Sequence, residues 1–148
     1  MYRGGIHLII NALTMKRHVI SYVSTANPNL SKEDVADLLK QVNDFNNSHD
    51  ITGVLLYAET NFFQLIEGDE KEIKNLYSHI EKDSRHSNII KFVDKPLVGI
   101  AFDGYISRFV TDASKLDYVN LETYMHHVEV LEPSSRKSVE RVIQAIAG

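Results

Sequence analysis

The 148 residues include no cysteine and no tryptophan. The first absence removes thiol nucleophiles, disulfides, iron–sulfur clusters and the usual structural zinc sites together. The second leaves the seven tyrosines as the main redox-active side chains. A basic stripe is missing as well: net charge is −4 and Lys and Arg are scattered, which disfavours electrostatic binding to nucleic acid or an anionic membrane. No apolar run approaches the length that crosses a bilayer, and the patch from Ile6 to Leu13 lacks the small-residue cleavage site of a signal peptide. The expectation is a cytoplasmic protein with no nucleic-acid and no membrane partner. G-x-S-x-G, P-loop, G-x-G-x-x-G and H-E-x-x-H patterns are also missing, which sets aside the common hydrolase, nucleotidase and dehydrogenase chemistries. Of the seven histidines, His126 stands at helical i,i+4 spacing from Glu122, but zinc needs three or four ligands and no metal is expected. Glu67 and Asp69 at a hairpin end could do acid–base work, or be a solvated turn.

What is present suits one domain with a core and an appendage. Residues 1–17 read as an N-terminal extension, in which Met15 could equally be the initiator. His18 to Ser24 alternates as a strand does, with Ile20, Tyr22 and Ser24 on one face. Ser31 then reads as the N-cap of a helix with acids in its first turn and a Leu30–Val35 staple. The helix carries its apolar stripe at Val35, Leu38, Leu39, Val42 and Phe45. Asn46 falls eleven steps of about 100° after Val35 and so shares the inward face. It is either a C-cap in left-handed geometry or a ligand contact.

Asp50 to Asp69 reads as a hairpin of two apolar runs around Glu59-Thr60-Asn61. Its anomaly is Gln64 among Phe62, Phe63, Leu65 and Ile66. Either that amide turns to solvent or it is hydrogen-bonded to something specific, since leaving it bare costs about 1–3 kcal/mol. A second helix is expected over Asp69 to His86, then strands over Ile89–Val93 and Val98–Val110, with Gly104 at a bend. The order βαββαββ implies an α+β sandwich of the ferredoxin-like kind: a five-stranded mixed sheet with two helices on one face, over residues 18–110. Residues 111–148 form a C-terminal helical segment, Leu121–Val130 and then Ser134–Ala147, the latter an amphipathic helix expected to pack on the sheet or on another subunit.

Tyr22 within SYVS, Asn46 and Asn47 followed by Ile51 to Gly53, FFQLIEGD from Phe62 to Asp69, and DSRH from Asp83 to His86 together resemble the BLUF family of flavin-binding sensors of blue light. The resemblance covers Val19 to Val110. It implies non-covalent FAD, with FMN or riboflavin as possible substitutes. By the same resemblance Tyr22 is the phenol that reduces the excited flavin, Gln64 the switching amide and Asn46 a residue holding the isoalloxazine edge, with Arg85 and His86 as candidate FAD contacts. The chain departs from the family at Tyr105-Ile106-Ser107, where Trp-x-Met is common, and at Ile100, where an arginine often stands two residues before Phe102. Tyr105 and Ser107 become the output candidates. The implied function is a blue-light photoreceptor, not an enzyme, signalling through a homo-oligomer or a separate protein partner. The competing reading is a light-insensitive ferredoxin-like ligand-binding or oligomerisation module, or a small hydrolase using the inward amides and Arg85.

Overall fold

A computed structural model of the protein describes residues 16–58, 60–97 and 109–111. In chain order the elements are β1 (Arg17–Ala26), α1 (Lys32–Ser48), β2 (Thr52–Ala58), β3 (Asn61–Asp69), α2 (Glu70–Glu81), β4 (His86–Leu97) and β5 (Phe109–Val110). They give the expected βαββαββ order. The strands form one mixed sheet in the order β4-β1-β3-β2-β5, with β1 antiparallel to both neighbours, β2 and β3 a hairpin, and β2 parallel to β5.

The two central strands, β1 and β3, are buried along nearly their whole length, and on both faces. This explains why β3 reads as a nearly continuous apolar run, whereas in β1 the alternation comes from His18, Ser21 and Ser24, which are polar and still buried. On one face Ile20, Tyr22, Leu55, Phe62 and Ile66 meet Leu38 of α1 and Ile73 and Tyr77 of α2 in a single core. Removing a side chain such as Ile20, Ile66 or Ile73 from water contributes about 1.5–3 kcal/mol each. On the opposite face Val19, Val54, Phe63 and Leu65 are just as deeply buried.

The helices start where their caps dictate. Ser31 Oγ accepts from the Asp34 N–H while Asp34 returns a bond to the Ser31 N–H, closing a capping box. At the far end of α1 the C-cap is His49, and the residue with positive φ is Asp50 (φ 54). Asn46 is therefore not the left-handed cap; only its backbone carbonyl serves the terminus, accepting from the His49 and Ile51 N–H groups. Phe45, expected in the core stripe, is 46% exposed and lies stacked on the His49 ring. The stripe drifts outward in the last turn because the buried position there goes to Asn46.

The second helix differs from expectation at both ends. Asp69 caps it from outside, accepting from the Glu72 N–H, and it stops at Glu81 instead of running on to His86. The cause is Asp83, whose carboxylate takes the backbone N–H of Arg85 and thereby forms a turn that competes with the helix. Arg85 lies in that turn and His86 opens β4. The fourth strand is longer than Ile89–Val93, and tolerates Pro96 because it is an edge strand. In β2, Gly53 holds φ 137, and a Cβ there would stand 1.9 Å from the Leu65 carbonyl oxygen, so no other residue fits.

The first strand starts one residue before the expected domain boundary, at Arg17. The rest of the N-terminal extension up to Met15, most of the strand expected over Val98–Val110 with Ile100, Phe102, Gly104, Tyr105 and Ser107, the Glu122/His126 pair and the C-terminal helices lie outside the described residues.

Candidate functional site

The polar centre of the sheet is set by register. In the β1–β3 ladder Tyr22 stands directly opposite Gln64, and both side chains rise on the helix-bearing face. The Tyr22 hydroxyl donates to Gln64 Oε1 at 2.5 Å. Gln64 is 3% exposed, so the amide has not turned to solvent. With Oε1 accepting from the phenol, its two N–H groups remain as donors. Burial raises the Tyr22 pKa well above the ordinary phenol range, and the neighbouring Tyr77 and the Asp83 carboxylate push the same way.

These two residues sit on the floor of a cleft of about 240 Å³ between α1 and α2. Its walls are apolar: Leu38 and Val42 from α1, Leu55 and Phe62 from the sheet, Leu76 and Ile80 from α2. Its mouth is formed by the exposed side chains of Gln41 and Phe45 on one helix and His79 on the other. Asn46 also lines it, 1% exposed, and among the described residues neither Oδ1 nor Nδ2 has a hydrogen-bond partner. A buried amide left in that state costs about 1–3 kcal/mol, which marks it as waiting for a partner with both an acceptor and a donor.

Arg85 and His86 reach the same cleft, and each is tied to neighbours on its rim. Arg85 grips Asp83 through Nε and Nη2, at 3.0 and 2.6 Å. The guanidinium holds the Asp83 carboxyl below the usual range, and the carboxylate in turn raises Arg85. His86 Nε2 lies 2.6 Å from the Ile80 carbonyl, which can only accept, so that nitrogen carries the proton. Nδ1 is then free to accept from Ser24 Oγ at 2.7 Å. The imidazole thus ties the end of α2 to β1, and its ring packs against Tyr22 at 6.0 Å between centroids.

The structure brings Tyr22, Asn46 and Gln64 together on one cavity. The competing acid–base pair does not join them. Glu67, 2% exposed, is bound by Arg17 (2.9 Å) and Thr52 (3.4 Å), and Asp69 caps α2. Neither lines the cleft. Two neighbours were given no role by the sequence. Asp83, part of the DSRH segment, could have been found from its i,i+2 spacing to Arg85 in a turn. Tyr77 lies on the buried face of α2, and its ring is 5.9 Å from that of Tyr22. Among the described residues no three His, Asp or Glu side chains converge as metal ligands would, and no helix is long and apolar enough to cross a membrane.

A family model described as sensors of blue-light using FAD matches residues 18–107. The chain is 37% identical over 59 residues to the blue light- and temperature-regulated antirepressor BluF of Escherichia coli (strain K12), a match that covers 40% of this chain and 15% of that protein. It is 32% identical over 71 residues to the beta subunit of photoactivated adenylate cyclase from Euglena longa, covering 48% of this chain and 8% of the subunit. The chain thus spans a small part of the length of these relatives. Among solved structures, BlsA in its photo-activated state is similar with a TM-score of 0.57 at 25% identity, over 78% of this chain and 96% of that one.

Proposed function

The chain belongs to the family of sensors of blue light using FAD, and from that membership we propose that its cleft between α1 and α2 holds the flavin ring over a Tyr22–Gln64 switch. The observation that carries this reading is the unpartnered amide of Asn46 in the same apolar cavity as the buried Tyr22–Gln64 bond. A flavin edge offers carbonyl acceptors beside a ring N–H donor, which is the set that the Asn46 Nδ2 and Oδ1 atoms lack. The apolar walls suit a fused aromatic ring. The remainder of FAD would leave past Gln41, Phe45 and His79, so FMN and riboflavin should also load. Arg85 keeps Nη1 for a contact to the rest of the cofactor while Nε and Nη2 hold Asp83, and His86, bonded to Ile80 and Ser24, shapes the wall beside it.

When bound, FAD supplies the absorption of blue light and, once excited, an oxidant able to draw an electron from a phenol. Tyr22 is the group that gives it, its proton moving along the existing bond toward Gln64 Oε1. Burial keeps Tyr22 protonated in the dark, so electron loss and proton movement are coupled. The amide responds by rotation or tautomerisation, either of which puts a donor where the acceptor stood and forces the phenol oxygen to accept. Apolar walls exclude the water that could otherwise satisfy both arrangements equally.

Members of this family are sensory modules, and this chain acts in our reading as a sensor and not as an enzyme. Residues 18–110 make the sensing domain. Residues 111–148, with Tyr105 and Ser107 before them, carry the output, either by changing a homo-oligomer contact or by docking on a separate protein, as the antirepressor relative does in name. Absorption spectra before and after blue light test this. Protein reconstituted with FAD should be yellow and give a reversible spectral shift; a colourless protein that cannot be loaded with any flavin would leave the light-insensitive binding module standing.

A further inference from the structure

Tyr22 has a second phenol beside it. The Tyr77 ring, buried on α2, lies 5.9 Å from the Tyr22 ring at an interplanar angle of 58°. Two phenols at such a distance have the same intrinsic oxidation chemistry, so their surroundings decide which one holds an oxidised state. Tyr22 has Gln64 as its proton partner. Around Tyr77 the arrangement is different. Lys91, the register partner of Tyr22 in the β1–β4 ladder, places Nζ 5.3 Å from the centroid of the Tyr77 ring. A cation over a π face stabilises the neutral ring and opposes any loss of an electron from it. The same ammonium donates to Asp94 Oδ2 at 2.7 Å, while His18 Nε2 occupies Asp94 Oδ1 at 2.5 Å. Both oxygens of that carboxylate are therefore engaged. Asp94 and Glu81 are the charges that bear on the Tyr77 phenol, which burial first and these two acids next push up to about 12. Lys91 Nζ thus stands between the Tyr77 ring and Asp94 Oδ2, and while it does so Asp94 is too well bound to act as a base.

We propose that Tyr77 is a second redox-active phenol, able to reduce oxidised Tyr22, and that Lys91 holds it in reserve by standing over its ring and by occupying Asp94. The proposal rests on the reading of Tyr22 as the electron donor. In the side reaction one electron passes from Tyr77 to Tyr22. Tyr22 retakes the proton through its bond to Gln64, and Tyr77 releases its own phenol proton to Asp94 Oδ2 once Lys91 no longer occupies that oxygen, so one electron and one proton leave Tyr77 and one of each returns to Tyr22. This drains the oxidised state from the residue coupled to Gln64. Keeping Tyr77 silent is what keeps the switch efficient.

The test is a variant series in the FAD-loaded full chain, read by photoproduct yield and by electron paramagnetic resonance of the illuminated, frozen sample. Lys91→Gln should lower the yield at least twofold and give a light-induced tyrosyl signal absent from wild type. Lys91→Arg keeps the cation and should match wild type. Tyr77→Phe alone should leave the yield unchanged, and Lys91→Gln with Tyr77→Phe should restore it and erase the signal. A wild-type yield in Lys91→Gln, or a double variant as impaired as the single one, overturns the proposal. Tyr22→Phe separates this from the underlying reading: full photoproduct without the Tyr22 phenol overturns both, whereas failure of the Lys91 series with Tyr22→Phe inactive overturns this proposal alone.

Discussion

Two buried polar groups three residues apart on β3 are treated in opposite ways. Glu67 is sealed into the sheet face away from the helices, with Arg17 at 2.9 Å and Thr52 at 3.4 Å. Gln64, on the helix face, shares its cleft with an Asn46 amide that has no hydrogen-bond partner among the described residues. A fold that clasps one buried carboxylate between two strands is not careless about hydrogen bonds. The difference separates polarity that serves the fold from polarity kept open for a ligand, because the former is satisfied from within and the latter is not.

Gln64→Leu should have the greatest effect on the ligand-facing side. The volume stays and the rewirable amide goes, so flavin should remain bound while the light-induced shift is lost altogether, as read by difference spectra. Next comes Glu67→Ala, which should cost about 1–3 kcal/mol of stability, because it removes a buried acceptor and leaves Thr52 and Arg17 without it. Arg17 is a third exposed and can rehydrate, which keeps the loss below that of breaking a fully buried pair. Urea unfolding of the flavin-free protein measures this, and flavin affinity should be unchanged.

Asn46→Leu sharpens the comparison in the other direction. Removing an unsatisfied buried amide should raise the stability of the flavin-free protein by about 1 kcal/mol while weakening flavin retention. A helix-cap role predicts the reverse. The smallest effect concerns Asp83 and Arg85. The folded pKa of Asp83 is depressed, so its contribution is present above the ordinary Asp range near pH 4 and is lost as pH falls through the lowered value. Both partners are partly exposed, so Asp83→Asn should cost less than about 1 kcal/mol and should flatten the stability curve below pH 4.

The order of elements was legible from periodicity, and so was the inward set Tyr22, Asn46 and Gln64, because a strand or helix with a known phase assigns each residue to a face. Pairing was harder. That Tyr22 faces Gln64 follows from an antiparallel register between strands about forty residues apart, which no local pattern encodes. The end of α2 was misjudged because Lys82, Arg85 and His86 suit a helix C-terminus electrostatically, while the side chain of Asp83 bonding to the Arg85 backbone ends it first. Phe45 was assigned by its place in the stripe, although the last turn of a helix can rotate an aromatic outward when a smaller polar residue takes the inner position.

Light should change the bond between Tyr22 and Gln64, and infrared difference spectroscopy of the FAD-loaded protein with isotope-labelled glutamine reads that bond. Illumination should shift the side-chain carbonyl band of one glutamine, and that labelled band should vanish from the difference spectrum in Gln64→Leu. A wild-type visible shift with no change in any glutamine side-chain band would contradict the account.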